Sequence, residues 1–430
     1  MSITGRVPPL LLLGLLAVLA RPALSTLALW LLAVAALVGL DLLLAPAPRR
    51  VSAERLPAGR VRAGHEASSS VAVENTGSRR VSLVVRDAWQ PSAGARGNRH
   101  RLRLAAGERA LLLTPLHPTR RGLLAAEGIT LRSHGPLGLA ARQQTREAPG
   151  SIRAVPPFES RKHLPSRLAR LRELDGRSAV RVRGQGTEFD SLREYVAGDD
   201  VRSIDWRASA RNRSVVVRTW QPERDRRVVL VLDTSRVSAA RVEDVPRLDS
   251  AMEAALLLTA LAARAGDRVD LVAGDHRVRT RLRLAGARDA VSRLEDALAR
   301  LTPEIAEADW TALAGAVQSL GRQRALVVLL TPLEPSAVEE GLLPVLPVLV
   351  SHHRVVVASV RDPELERLTQ ARSGLDEVYA AAAAEQALAR RGSTAELLET
   401  LGVTVLDVSA DALPPALADH YLALKARGLL

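Results

Sequence analysis

Two apolar runs open the chain. Val7–Ala20 holds fourteen residues without a charged side chain, and Ala23–Leu44 holds twenty-two in which only Ser25, Thr26 and Asp41 are polar. Arg21-Pro22 separates them and supplies a tight turn. A helix that crosses a bilayer needs about 20 residues. The second run meets that length, and the first, roughly 21 Å at the helical rise, is short. The pattern predicts a transmembrane hairpin over residues 1–45. Arg6 precedes it, Arg49, Arg50, Arg55, Arg60 and Arg62 follow it, and Arg21 stands alone in the turn. The positive-inside rule then places both ends of the chain and the soluble domains on the cytoplasmic side of the inner membrane. The alternative is a secretory leader cleaved near Ala20.

From Val51 to Ile152 the pattern changes to period two. Val71, Val73, Val81, Leu83 and Val85 alternate with small or polar residues, as in half-buried strands. Asn75-Thr76-Gly77 and Ala106-Gly107-Glu108 are turn signals, and His134-Gly135-Pro136-Leu137-Gly138 reads as a closing turn. Residues 46–150 are expected to form a small β-sandwich-like module. Residues 151–225 read as an Arg-rich connection followed by a distinctive segment. A flexible joint is expected between Ile152 and Asp190, around Pro156-Pro157 and Gly184-Gln185-Gly186, with a short helix near Pro165–Leu174.

Residues 226–430 alternate apolar strands with helices. The strands are expected at Val228–Leu232, Val269–Ala273, Val278–Leu284, Ala325–Leu330, Arg354–Val360 and Val403–Val408. Helices are expected at Asp249–Arg264, Ala287–Leu301, Thr311–Gly321, Pro335–Leu343, Leu375–Arg391, Thr394–Leu401 and Pro414–Ala426. Such alternation predicts an α/β domain with a Rossmann-type parallel sheet covered on both faces. Ligands of such sheets sit at the carboxyl ends of the strands, which directs attention to Asp233 and Thr331.

Composition narrows the function classes. The formal net charge is +13, but lysine occurs only at positions 162 and 425, and the arginines are spread along the chain among Asp and Glu. No basic tail and no nucleic-acid motif accompanies them, so an anionic membrane face is the better partner for this charge and no nucleic acid is expected. The absence of cysteine excludes disulfides, thiolate metal sites and cysteine nucleophiles. No HExxH pattern occurs among the histidines, and His352-His353 precedes an expected strand.

The densest chemistry lies between Gly186 and Trp220. Four of the chain's ten aromatic residues, Phe189, Tyr195, Trp206 and Trp220, fall in this window. Between them stand Glu188, Arg193, Glu194, Asp199, Asp200, Arg202, Asp205, Arg207 and Arg211. Large apolar anchors interleaved with both signs of charge fit either a specific interface or an ion-pair network bracing two domains.

The run Gly186-Thr187-Glu188-Phe189, Leu192-Arg193-Glu194-Tyr195, Gly198-Asp199-Asp200, Arg202, Ile204-Asp205-Trp206 and Ser209-Ala210-Arg211 resembles the signature of the domain-of-unknown-function-58 family. Members of that family are bacterial membrane-anchored proteins associated with MoxR-type AAA+ ATPases. The resemblance implies such an ATPase, and other membrane proteins of the same operon, as partners. It implies complex assembly or maturation as the process, and no settled activity.

Asp233-Thr234-Ser235-Arg236-Val237-Ser238 resembles the first loop of a von Willebrand factor A domain, where an Asp and two hydroxyls surround a divalent cation. Asp233 and Ser235 fit that pattern, Val237 replaces the second hydroxyl, and Thr311 is the candidate from the second loop. The third loop reads Thr331-Pro332-Leu333-Glu334, with no Asp in place. Mg²⁺ dehydrates reluctantly and is poorly served by so few ligands. The expectation is therefore a degenerate site, no cofactor and no catalytic residue, in a membrane-anchored scaffold or adaptor. Glu188, Phe189, Arg193, Tyr195, Asp199, Asp200, Arg202, Asp205, Trp206 and Arg211 form its interaction segment. The alternatives are a metal-dependent hydrolase using the carboxylates of this segment, and a basic membrane-surface or nucleic-acid binder.

Overall fold

A computed structural model describes residues 2–181, 188–212, 214–221, 226–284, 289–321, 323–370 and 373–430. For residues 175–181, 188–190, 212 and 219–221 the backbone alone is described. The expected glycine joint at Gly184-Gln185-Gly186 lies outside the described residues. The chain is mixed α/β and divides into two compact units, Met1–Pro157 and Phe158–Leu430.

The first unit begins with strand β1 (Ser2–Ile3) and two apolar helices, α1 (Val7–Ala20) and α2 (Leu24–Leu44). Among the described residues α2 is long and apolar enough to cross a membrane, and α1, at 14 residues, is shorter. The helices pack through Gly14, where an added Cβ would fall 2.3 Å from Trp30 Cδ1. Trp30 Nε1 donates to Leu10 O at 3.3 Å.

Nine strands follow in this unit. They are β2 (Val51–Arg55), β3 (Arg60–Arg62), β4 (Ala67–Asn75), β5 (Val81–Trp89), β6 (Arg99–Leu104), β7 (Arg109–Leu116), β8 (Gly122–His134), β9 (Ala140–Arg146) and β10 (Ser151–Val155). One sheet has the order β2-β4-β7. The other runs β1-β9-β8-β10-β3, with β5 on β8 and β6 on β5. Val71 and Val73 of the first sheet share one core with Val85, Ile129 and Leu131 of the second, all fully buried. The inward valines are those that the alternation marks.

Two polar devices are built into this unit. Arg55 and Asp87 form a buried pair at 2.6 Å, with Arg55 also donating to Ser69 Oγ and Ala148 O, and Trp89 Nε1 donating to Asp87. Asp41, fully buried on the last turns of α2, accepts the backbone N–H groups of Leu137, Leu139 and Ala140 at 2.7, 2.7 and 2.8 Å. Gly135 makes room for it, since a Cβ there would meet Asp41 Oδ1 at 2.3 Å.

The sequence points to a loose connection after Ile152. The structure instead gives strand β10, with Ile152, Ala154 and Val155 buried, and then helix α3 (Leu164–Arg181), longer than the short helix expected. Leu164, Leu168, Leu171 and Leu174 line the packed side of α3. The apolar stripe is hidden in sequence by the arginines between its members.

The second unit continues with β11 (Glu188–Glu194), α4 (Trp206–Asn212), β12 (Val216–Gln221), β13 (Arg227–Asp233), α5 (Arg236–Ala239), β14 (Arg241–Val242), β15 (Val245–Pro246), α6 (Arg247–Arg264), β16 (Arg268–Gly274), β17 (Val278–Leu284), α7 (Ala290–Leu298) and α8 (Trp310–Ser319). It ends with β18 (Leu326–Leu330), α9 (Pro335–Ala337), α10 (Leu346–His352), β19 (Arg354–Val360), α11 (Pro363–Leu368), α12 (Leu375–Thr400), β20 (Thr404–Val408) and α13 (Leu413–Ala426). The main sheet has the order β17-β16-β13-β18-β19-β20, parallel except for β17. Along β13, Val228, Leu230 and Leu232 enter one core with α6 and α13, while Val229 and Val231 enter the other with α8 and α10. A strand stretch buried on both faces is apolar throughout, as Val228–Leu232 is between Arg227 and Asp233.

The two helices expected at Leu375–Arg391 and Thr394–Leu401 are one, α12, which runs through Gly392. Arg391 explains the continuity. It is buried, pairs with Asp407 through two contacts of 2.7 and 2.6 Å, and donates to Ser359 Oγ at 2.7 Å. These contacts hold the helix where glycine alone would weaken it. The expected helix at Pro335–Leu343 is the short α9 followed by a π turn at Val338–Leu342.

Candidate functional site

Asp233 ends β13, and its neighbour β18 delivers Thr331 one residue past its own end. Leu232 pairs with Leu330 in register, so the two side chains emerge side by side. Thr331 Oγ1 donates to Asp233 Oδ2 at 2.7 Å, and the backbone N–H of Ser235 donates to Oδ1 at 2.8 Å. Burial pushes the Asp233 carboxyl upward, the nearby Asp275 charge adds to that, and the hydrogen bonds from Ser235 and Thr331 oppose it. Ser235 is fully buried, and its Oγ makes no hydrogen bond of good geometry among the described residues.

These residues open into a cavity of about 260 Å³ that is also lined by Glu307, Trp310, Pro332 and Glu340. The walls come from three connections. The loop after β13 is tied to the stretch before α8 by Glu304 N to Thr234 O and Arg236 N to Ala306 O, both 2.9 Å. Thr234 Oγ1 donates to Asp275 Oδ2 at 2.8 Å, which ties in the end of β16. Arg236 pairs with Glu307 at the rim.

The donor set does not fit Mg²⁺. Asp233 is the carboxylate at the base of the cavity, and each of its oxygens already accepts a hydrogen bond. Val237 is buried and apolar where a hydroxyl would be needed. Thr311 is exposed on α8 and is not among the lining residues, while its neighbour Asp309 caps that helix by accepting from Ala312 N. Beside Asp233 only Ser235 Oγ and Thr331 Oγ1 remain, Glu307 is engaged by Arg236 and Glu340 is exposed, which leaves few hard ligands at the base for an ion that demands an octahedral shell. Nearby, Asp275, His276 and Glu304 converge, but Arg279 contacts both carboxylates, at 3.3 and 3.8 Å, and supplies the counter-charge itself.

The aromatic and charged segment forms a separate constellation. β11 and β12 pair antiparallel, with Arg193 opposite Val217 and Leu192 opposite Arg218. Val216 and Val217 are buried beneath it. The connection between the strands folds back by carboxylate caps. Asp199 accepts from Arg193 at 2.6 Å and from Val196 N at 3.0 Å. Asp200 accepts from Arg202 N at 2.9 Å. Asp205 caps α4 through Arg207 N and Ala208 N, both 3.0 Å, and pairs with Arg218 at 2.8 Å.

The charge assisting these bonds holds the carboxyls down, Asp199 by its bond from Arg193 and Asp205 first by the N–H of Ala208. Carboxylates kept ionised and engaged in caps are poor general acids. Tyr195 is half-buried, and its N–H donates to Val215 O at 2.8 Å.

Against this ordered frame several large side chains remain outside. Trp206 is 69% exposed, and Leu192, Val196 and Val201 are exposed with it. Arg202 and Arg211 are exposed as well. Glu188 and Phe189 lie on β11, opposite Gln221 and Trp220, and their side chains are outside the described residues. Arg218, the partner of Asp205, and Glu307, Trp310 and Glu340 in the cavity are not singled out by sequence. Arg218 carries a weak signal, since it alternates with the buried Val217. The cavity residues carry none, because their loops meet only in the fold.

No curated protein matches the chain. Among solved structures it is similar to a PapD-like domain of human CEP192 (14% identity, 26% of this chain and 89% of that one, TM-score 0.21). It is also similar to Escherichia coli alpha-2-macroglobulin (19% identity, 25% and 7%, TM-score 0.21) and to a CARDB domain from Pyrococcus furiosus (19% identity, 24% and 86%, TM-score 0.18). Scores this low decide nothing about the fold. A family match does bear on identity, because it spans nearly half the chain, from Ser191 in the charged segment to Thr394 in α12. Residues 191–394 match the model of the family described as protein of unknown function DUF58.

Proposed function

We propose that the chain is a membrane-anchored protein-interaction scaffold that works with a MoxR-type AAA+ ATPase in complex assembly or maturation. In this reading α1 and α2 form a transmembrane hairpin and the soluble units face the cytoplasm. The second unit is a von Willebrand factor A-like domain whose cation pocket has decayed, and it turns over no substrate.

One observation carries the reading. Trp206, 69% exposed, sits on a hairpin and helix fixed by the caps of Asp199, Asp200 and Asp205. A large apolar side chain held outward by an ordered frame is a ready anchor, and Trp, Tyr and Arg dominate binding hot spots. Arg202 and Arg211 are the charged neighbours that would complete the contact.

The test uses the full chain in detergent, immobilised and offered a purified MoxR-type ATPase. Capture is expected, and Trp206→Ala with Arg202→Ala should abolish it while the melting curve stays unchanged. Undiminished capture by the folded double variant rejects this interface, and no capture by the unaltered chain rejects the partner.

A further inference from the structure

The outer face of the larger sheet in the first unit is a field of arginine. Strand registers place Arg101, Val84, Arg132 and Gln143 in one row across β6, β5, β8 and β9. The next row is Arg99, Arg86, Thr130 and Thr145. Arg103 stands opposite Ser82 on the other side of the first row. Neither full row contains an acidic residue. Arg86, Arg99, Arg101, Arg103 and Arg132 are all exposed, and none forms an ion pair among the described residues. Arg132 donates to Gln143 Oε1 at 3.2 and 2.8 Å, which aims it without neutralising it.

This field is continuous with the base of the apolar helices. His134, at the end of β8, is held below the ordinary histidine range by burial and by the charges of Arg132, Arg101 and Arg6, against the opposing charge of Asp41. Arg132 and Arg101 belong to the sheet, Asp41 to α2, and Arg6 to the residue before α1. The same histidine therefore stands between the arginine rows and the point where the helices leave the module. Arg6 is fixed there, donating to Leu137 O at 3.2 Å.

We infer that this sheet face, with Arg101, Arg103 and Arg132 at its centre, binds the anionic headgroups of the bilayer that holds the helices. The inference rests on the membrane reading given above and extends it from anchoring to recognition of lipid charge. Two features of the fold favour lipid over other polyanions. The rows begin where the apolar helices end, so headgroups lie within reach of them, and fields at a membrane surface act over about a Debye length, near 8–10 Å in physiological salt. The arginines also present a flat sheet face, and no aromatic residue stands in either row to stack on bases.

The chain has no cysteine, so Ser82→Cys introduces a single exposed labelling site beside Arg103. The labelled full chain is placed in nanodiscs of phosphatidylcholine alone, or of phosphatidylcholine with roughly one third phosphatidylglycerol. Nitroxide headgroup lipids quench the label where the face meets lipid. Quenching is expected to rise about twofold or more with the anionic lipid and to collapse at roughly 0.5 M salt, where screening shortens to a few Å. It should be lost in the Arg101→Glu, Arg103→Glu, Arg132→Glu variant and kept when the same three become lysine.

Equal quenching in both lipids overturns the inference, as does quenching that the glutamate variant retains while the lysine variant shows the fold intact. A DNA duplex that binds the chain saturably in phosphatidylcholine discs, and displaces the face from anionic ones, would assign it to nucleic acid instead. A chain that does not enter the discs removes the membrane reading itself, whereas one that enters and ignores lipid charge removes only this inference.

Discussion

Thr331 and Asp233 stand at the carboxyl ends of adjacent parallel strands, and the threonine hydroxyl closes on the carboxylate at 2.7 Å. That bond occupies an oxygen which a divalent cation would have to take. With Ser235 N on the other oxygen, the carboxylate is satisfied by its own loop and by the adjacent strand end. Titration calorimetry of the full chain with Mg²⁺ up to millimolar concentration is expected to show no saturable heat. A stoichiometric site lost in Asp233→Asn would reverse this reading.

His353 provides a pH handle. Burial holds its imidazole below the ordinary range, helped by His352, Arg227 and Arg324. Because its folded pKa lies below its unfolded one, the unfolded chain binds the proton more readily. Stability is then intact above about pH 6.5 and falls as the pH drops through that value. Thermal melts at pH 7.5 and pH 5 should show a smaller acid-induced loss in His353→Gln than in the unaltered chain. An unchanged difference would show that this ring carries none of it.

Arg391 should be costly to remove. Arg391→Ala leaves Asp407 without its partner and removes one of the two donors to Ser359 Oγ, which keeps only the bond from Leu333 N. The loss is expected near 3 kcal/mol, the lower end for breaking a buried pair, because the Asp407 side chain keeps 16% of its surface. Urea unfolding measures it, and Arg391→Met with Asp407→Leu should recover most of the loss. A single variant within 1 kcal/mol of the parent would mean the pair is solvated in solution.

Trp206 should behave oppositely. Its side chain is mostly outside, so Trp206→Ala is expected to change stability by no more than about 0.5 kcal/mol. A large drop in melting temperature would make it a packing residue and remove the argument for an anchor.

Much of the architecture is written locally. The apolar run Val228–Leu232 and the alternation through Val81, Leu83 and Val85 each state how many faces of a strand are buried, and the structure agrees at those residues. What could not be read is long-range. Arg391 finds Asp407 sixteen positions on and Ser359 thirty-two positions back, so nothing near Gly392 signals that the helix continues. The leucines of α3 were masked by intervening arginines. At the cavity, Asp233 and Ser235 follow from their place at a strand end, while Glu307, Trp310 and Glu340 arrive from loops whose meeting depends on the whole sheet.

Asp41 has a mechanical consequence. Its carboxylate clasps three amides of the β8–β9 turn from inside the final turns of α2. Tension applied to the β module therefore reaches the apolar helices with no slack to take up first, and a pulling machine would tilt them instead of paying out a tether.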